Sequence, residues 1–589
     1  MRILGIHDAF DAGAALVEDG QIRYAINEER LARVKNVHEE RKKVCGLPLV
    51  TRSAFPHLSI RQILADSDLT LDDIDRVALP HAQPSDFFGS IPGRMWDSNP
   101  LALLRNAHTI APLSCLYALN KKRLLESTLA ELRELGIRND QIDFVPHHRS
   151  HAEATYRTSG WNDALVIVAD LEGDLTSTTV WRARGNDLEL RHESFFPVAS
   201  FGAFYGNVTA AIGFRKHVDE CKVMGLAAYG QPTCYDELAR EIVWDPRNRR
   251  ITTPQPWKQQ ERLADLATRH SAKDIAHSAQ KVLEERLVQF FKSWIKSTGC
   301  RRVCYSGGVA HNVIANQCLQ QIPGIELSLF PHAGDGGLAC GAALGAWYQN
   351  ATRADGAPSV RLTNAYLGAE YGEERIDEAL EKYGLDAEPT DDVAGRAAEL
   401  LAEGKVCGLY QGRMELGPRA LGHRSILSHP AGEDAKDRVN NKIKFRESWR
   451  PFALSLLEEC QDEILEGAYP AAFMLLGFQV RPEQVENVRS AAHVDGSTRP
   501  QTVNPHESPF YHQLISRFRD ITGVGGLLNT SLNRRGEPMC CTPEDAIECF
   551  LGSEMDALIL GNRLLTKARV EPESLREFEA IEVDVPVGA

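Results

Sequence analysis

Residues 2–25 read RILGIHDAFDAGAALVEDGQIRYA, and their pattern decides the fold class. A short apolar run, Arg2–Ile6, is followed by the bend Asp11-Ala12-Gly13 and a second apolar run, Ala14–Val17. A second bend, Glu18-Asp19-Gly20, leads to Gln21–Ala25. Runs of this length bounded by Asp and Gly are β-strands joined by tight turns. The pattern returns at 164–182: Ala164–Ala169, the bend Asp170–Asp174, then Ser177–Arg182. Two such openings suggest a duplicated fold with a ligand between its halves. The plainer alternative, that Asp and Gly mark turns in any α/β protein, stays open on these residues alone. Between the strands, including Val303–Tyr305, the sequence turns to helical periodicity, which gives an α/β architecture.

The chain has 589 residues, enough for two to four domains at roughly 100–200 residues each. Residues 351–361, rich in Gly, Pro and small polar side chains after a Gly/Ala-rich helix, read as a linker. They divide the chain into domains 1–355 and 356–589. An acidic tail, Glu577–Asp584, reads as solvated. The net charge of −15 argues against a nucleic-acid partner, which needs a surplus of Lys and Arg. Thirteen cysteines without a Cys-x-x-Cys pair indicate free thiols in a reducing compartment. The first residues carry no signal-peptide pattern, and the most uniformly small-apolar run, Gly336–Trp347, is too short to span a bilayer. A cytoplasmic protein without a membrane partner is expected.

Three groups of residues carry chemistry. In His147-His148-Arg149-Ser150-His151, His147 and His151 are four apart and share a helix face, the spacing that chelates one metal. Asp170 follows at the end of an apolar strand, and Asp335 either completes a metal shell or caps the helix Leu338–Trp347. The second group, Ser306-Gly307-Gly308-Val309-Ala310-His311-Asn312, is a strand–helix turn where backbone approaches a phosphate or ribose in some proteins and nothing in many others. The third group spans Gln411–Phe452 and holds nine Lys/Arg against five Asp/Glu, a local +4. Arginines among glycines and aromatics suit bidentate recognition of small anions, although mixed charge runs are more often solvated surface. Farther on, Arg499 stands beside a turn, and Asn529, Thr530, Ser531 and Asn533 form a polar cluster after an apolar run.

Taken together, these motifs resemble the antibiotic-type O-carbamoyltransferases, the family of the nodulation, cephamycin and tobramycin carbamoyltransferases. The resemblance covers nearly the whole chain. It rests on Glu28-Glu29-Arg30, His147-His148-x-x-His151-Ala152, Lys222–Gly230, Ser306–Asn312, Glu415-x-Gly-Pro-Arg-Ala-Leu-Gly-x-Arg-Ser425, Arg450-Pro-Phe-Ala453 and Asn529-Thr-Ser-x-Asn533. It implies a duplicated actin/Hsp70-like amino-terminal domain, similar to the tRNA threonylcarbamoyltransferase subunit, and a YrdC/Sua5-like α/β carboxyl-terminal domain. It further implies that the second domain makes carbamoyl-adenylate from carbamoyl phosphate and ATP with Mg, and that the first passes the carbamoyl group to a small hydroxylated acceptor. Carried over by motif, His147, His151, Asp170 and Asp335 would hold a divalent metal of the Fe(II) type. Gly307, Gly308 and Asn312 would contact the adenylate in the first domain. Arg419, Arg424, Lys444, Arg446, Arg450, Arg499, Asn529 and Ser531 would line the adenylate-forming site, with Lys444 and Arg450 catalytic.

Two departures fall near the acceptor. The family's first-turn His, an acceptor-activating base, is Phe10 here, followed by the retained Asp11; His7, three residues upstream, either reaches the same space or ends the strand. The family's Asp-Gly after the second strand is Asp170-Leu171. His7 and Asp11 are the catalytic candidates on that side. Partners expected are ATP, carbamoyl phosphate, the acceptor and a second copy of the chain. Competing readings are a tRNA-directed carbamoylation and a nucleotide-binding module without group transfer.

Overall fold

The computed structural model describes residues 1–44, 47–82, 100–351, 359–432, 435–447 and 449–570. The acidic tail Glu577–Asp584 lies outside them. The chain forms two compact units, residues 1–32 with 36–362, and residues 33–35 with 363–589.

In the first unit, β1 (Arg2–His7), β2 (Gly13–Glu18) and β3 (Gln21–Asn27) form an antiparallel meander. Parallel to β1 run β4 (Arg76–Leu79) and, beyond it, β5 (Ile142–Phe144), giving the order β3-β2-β1-β4-β5. Between them in sequence lies the helix α1 (Pro100–Glu134). After the helix α2 (His147–Arg157) the plan repeats. Strands β6 (Asp163–Gly173), β7 (Thr176–Arg184) and β8 (Asp187–Phe195) form a second meander. Beside β6 lie β9 (Arg302–Ser306) and β10 (Glu326–Leu329), both parallel, in the order β8-β7-β6-β9-β10. Both halves thus share one connectivity, which is the duplicated actin/Hsp70-like plan implied by the resemblance.

Burial follows from composition. In β1 and β6 the runs Ile3–Ile6 and Ala164–Ala169 are buried on both faces, so they read as continuous apolar stretches rather than alternating ones. Ala152 and Tyr156 of α2 pack on Val166, Val168 and Cys304. The small side chains of α5 (Leu338–Asn350, numbered after α3, Ala272–Thr298, and α4, Val313–Gln320) pack on Ile3, Val17 and Ala78. The central strand of each sheet, β1 or β6, therefore shares its apolar core with a helix, α5 or α2, that carries candidate ligands (α2) or follows one directly (α5).

Most of the expected linker, 351–361, lies outside the described residues. Residues 352–358, which include the expected boundary at 355/356, are not among those described. Residues 359–362 belong to the first unit. Ser359 Oγ donates to Tyr156 O at 2.9 Å, Val360 N–H to Arg157 O at 3.1 Å and Leu362 N–H to Thr158 O at 2.9 Å.

The second unit is built on one mixed eight-stranded sheet. Its members are β11 (Glu388–Pro389), β12 (Cys407–Tyr410), β13 (Arg424–Ser428), β14 (Ala453–Leu457), β15 (Pro500–Val503), β16 (Gly526–Ser531), β17 (Ala557–Leu560) and β18 (Arg563–Thr566). Their order is β11-β18-β17-β12-β13-β16-β14-β15. Side chains alternate across the sheet. Leu527 joins Leu401 of α6 (Val393–Ala402) and Phe518 of α7 (Pro509–Thr522), whereas Leu528 joins Ile547 and Phe550 of α8 (Pro543–Leu551) on the opposite face. This is the α/β class expected of the second domain. Among the described residues no helix is long and apolar enough to cross a membrane.

Candidate active site

Pro146 precedes the first turn of α2, where its missing N–H costs nothing, and the helix then carries His147 and His151 on one face. Asp170 comes from β6 and Asp335 from the 3-10 turn Asp335–Gly337 before α5. His147 Nε2 and His151 Nε2 lie 3.3 and 3.1 Å from Asp170 Oδ2, and each is 3.6 Å from Asp335 Oδ1. All four ligand atoms fall within 4.8 Å of one another. The cap of α5 is Gly337, without a side-chain bond, so Asp335 does not serve as that helix's cap.

Two carboxylates this close in a buried space require positive charge between them. Burial alone would lower the His151 imidazole, but Asp170 and Asp335 outweigh it and raise it to about 9. Burial alone would raise Asp170, yet the two imidazoles hold it well below the usual carboxylate range. A donor set of two imidazole nitrogens and two carboxylate oxygens, with no thiolate, fits a divalent first-row metal. The middle histidine is different. His148 Nδ1 lies 3.3 Å from Thr179 Oγ1 and its Nε2 3.1 Å from Thr176 O, so it ties α2 to the second meander.

The loop after β9 serves this cluster. Gly307 has φ 95°, and a Cβ there would lie 2.2 Å from Ala169 O, so only glycine lets β9 close on β6. Gly308 N–H then donates to Asp170 Oδ1 at 3.2 Å, and Leu171 N–H donates to the same oxygen at 2.7 Å. Asn312 Oδ1 caps α4 by accepting from Ala315 N–H at 3.0 Å, and its amide exchanges hydrogen bonds with Gln280. Gly308 and Asn312, expected at the adenylate, thus have defined structural partners here.

On the acceptor side, His7 ends β1 and is buried. Its Nε2 lies 2.8 Å from Phe10 O, and burial brings the ring down to about 4. His7 therefore both ends the strand and bonds the Phe10 carbonyl through Nε2, while its buried Nδ1 has no hydrogen-bond partner among the described residues. Asp11, φ 59°, has Oδ1 accepting from Asn36 Nδ2 at 3.0 Å, and burial together with the Glu29 charge raises its carboxyl to about 7. A neighbouring network escaped the sequence. Asp8 lies 2.7 Å from His81 Nε2 and also accepts from Thr128 Oγ1. The adjacent His7-Asp8 pair was the one available sign, and no spacing links it to residues 81 and 128.

In the second unit, Glu415 shapes the Gly/Arg-rich loop by accepting, through Oε1, from the N–H groups of Leu421, His423 and Arg424 at 2.8, 2.8 and 3.1 Å. Arg424 differs from expectation. It is fully buried, donates to Gln411 O, His423 O and Gly412 O, and lies 3.7 Å over the Tyr410 ring. Its guanidinium holds the loop rather than facing a ligand, a distinction that charge counting does not make. Asn529 likewise donates to Ser455 Oγ at 2.9 Å and Ala420 O at 3.2 Å.

Two positions along β16, Ser531 meets Lys444. The Lys444 ammonium donates to Ser531 O and Oγ and to Asn533 O and Oδ1. Burial, with Arg446 alongside, pulls it down to about 7. Arg446 donates to Asn440 Oδ1 at 2.7 Å and lies 4.5 Å over the Phe452 ring. Arg450 retains some exposure, with Glu447 3.9 Å away. Arg419 is half-buried on the loop, and Arg499 is half-buried at the start of β15. The cations are thus gathered in one unit, some serving as framework and others reaching solvent.

Residues 2–344 match the family described as Carbamoyltransferase N-terminus, and residues 398–567 match Carbamoyltransferase C-terminus. The nodulation protein NolNO of Sinorhizobium fredii is 34% identical, the alignment covering 96% of this chain and 80% of that one. The 3'-hydroxymethylcephem-O-carbamoyltransferase of Streptomyces clavuligerus is 32% identical over 58% of this chain and 64% of its own. Among solved structures, full-length HypF is similar at 14% identity and a TM-score of 0.36, covering 59% of this chain and 55% of that one.

Proposed function

The chain belongs to the carbamoyltransferase family, and from that premise we propose that it is an ATP-dependent O-carbamoyltransferase with one half-reaction in each unit. In the second unit carbamoyl phosphate, ATP and water give carbamoyl-adenylate, phosphate and pyrophosphate. In the first, a hydroxyl of a small metabolite attacks the carbamoyl carbon, the C–O bond to the adenylate phosphate breaks, and a carbamate ester and AMP result. The observation that carries this reading is the four-ligand cluster of the first unit, to which the second unit adds a buried Lys444 and the cation-rich stretch 413–450. The relatives named 3'-hydroxymethylcephem-O-carbamoyltransferase support an oxygen acceptor, of the natural-product kind.

Carbamate has a poor leaving group, and adenylation supplies a good one. Lys444, Arg446 and Arg450 would offset the charge that accumulates where carbamoyl phosphate meets the ATP triphosphate, whose Mg would share that task. Arg419 and Arg499 would bind the same anions, while Arg424 keeps the loop in shape. Ser531 and Asn533 aim the Lys444 ammonium. In the first unit His147, His151, Asp170 and Asp335 would hold a divalent metal; Fe(II), implied by the resemblance, is among the first-row ions that an imidazole–carboxylate set suits. Bound there, such an ion supplies Lewis-acid polarisation of the acyl phosphate. Asp11, with its carboxyl near 7, would take the acceptor's hydroxyl proton, since a base works best with a pKa near the operating pH.

The test supplies carbamoyl phosphate and ATP without any acceptor. Pyrophosphate and phosphate release that depends on carbamoyl phosphate is expected, and its absence would reject the adenylation step.

A further inference from the structure

The helix that bears both histidines lacks a cap of its own. Pro146, at its N-cap, makes no side-chain bond, so the first-turn N–H groups of α2 must find partners elsewhere. One partner comes from the turn between β6 and β7. Asp174 Oδ2 accepts from His147 N–H at 3.1 Å and from Ala82 N–H at 3.2 Å. Its Oδ1 is 3.0 Å from the Lys121 ammonium of α1, and its own N–H donates to Tyr117 Oη at 3.1 Å. Asp174 is 3% exposed, so its carboxylate is desolvated, and the Lys121 side chain is largely covered.

A second, separate observation points to the same turn. A Cβ at Gly173 would lie 2.1 Å from His147 Cδ2 and 2.5 Å from its Nε2, so the turn's backbone abuts the imidazole itself. Asp174 and Leu175 both adopt left-handed φ, 55° and 62°. A turn with two such residues normally uses Asn or Gly, and strain of this kind persists where the surroundings enforce it. A buried ion pair is weak support for stability in itself, but an anion held at a helix amino terminus fixes that terminus in place.

We propose that Asp174, with Lys121 as its counter-charge, is a positioning residue that fixes the start of α2 and so the aim of His147 and His151 at the metal position. Through Lys121 the helix α1 reaches a cluster to which it contributes no ligand. This inference rests on the metal reading given above.

The test titrates the full-length protein with Co(II), reading affinity and the visible d–d spectrum, with circular dichroism as the fold control. Lys121→Met and Asp174→Ala are expected to weaken Co(II) binding about tenfold or more and to change the spectrum, as loss of an outer-shell partner does. Lys121→Arg should restore the wild-type spectrum. Folded variants with wild-type affinity and spectrum would overturn the proposal. Should Asp174→Ala not fold, Asp174→Asn decides: it keeps the acceptor for His147 N–H but not the charge, and an unchanged Co(II) site in it and in Lys121→Met overturns the proposal. If the wild type binds no Co(II), the metal reading fails first; if it binds and the variants bind equally, the positioning role alone fails.

Discussion

The two candidate sites are electrostatic opposites built by different means. In the first unit, His147 and His151 of α2, Asp170 of β6 and Asp335 of the turn before α5 converge, and Asp170 is further held by two backbone N–H groups. In the second, the cations come largely from one stretch of chain, 413–450, and their fates diverge. Arg424 is consumed by carbonyls, Lys444 is buried with its charge near balance, and Arg450 keeps access to solvent. A site with an excess of carboxylate requires a cation, and one with an excess of guanidinium requires an anion. The contrast teaches that ligand-binding residues cannot be told from framework by residue type, only by which partners each has already found.

The largest effect should come from Arg450→Ala, which removes a partly exposed cation from the proposed adenylate-forming site. Carbamoyl phosphate-dependent pyrophosphate release should fall about 10²–10³-fold, on the scale of losing one transition-state donor. Arg424→Ala tests the framework side of the same comparison. It strands several buried carbonyls, and urea unfolding of the second unit should show a loss of about 3 kcal/mol.

Asp11→Asn should slow carbamoyl transfer about 10²-fold. With Asp11 as the proposed base and its carboxyl raised to about 7, wild-type transfer should rise with pH up to about 7 and then level off, a limb that the variant lacks. Measured kcat/KM against pH checks this, and a persistent limb in Asp11→Asn would give the proton to another group.

The smallest effect is a linkage. The Lys444 ammonium is lowered to about 7 in the folded state, so between that value and its unfolded pKa near 10.4 the unfolded chain binds the extra proton. Stability of the wild type relative to Lys444→Met should therefore increase with pH across this window, by at most about 1.4 kcal/mol per pH unit. Denaturation curves at several pH values measure the slope, and a slope of zero or of opposite sign would show that the amine stays charged.

Much of the fold was legible because its signals are local. Ile3–Ile6 and Ala164–Ala169 read as strands from unbroken apolar runs, and the repeated Asp/Gly bends announced a duplication that matching strand orders bear out. The His147/His151 spacing was legible for the same reason, since a helix translates four residues into one face. What escaped depends on contacts between distant segments. Nothing in the spacing of residues 8, 81 and 128, or of 121, 147 and 174, marks them as neighbours. The bond from the His7 ring to the Phe10 carbonyl was equally invisible, because it depends on how the turn after β1 folds back on the strand end. Arg424 looked like Arg450 in the sequence; only burial separates them.

If the two half-reactions occupy separate sites, one assay of three proteins separates them. Wild type, Arg450→Ala and His147→Ala are each given carbamoyl phosphate and ATP without acceptor, and pyrophosphate release is followed. The account predicts that release is lost in Arg450→Ala and retained in His147→Ala, which fails only when an acceptor is supplied and carbamoyl transfer is measured. Loss of pyrophosphate release in a folded His147→Ala protein would contradict it.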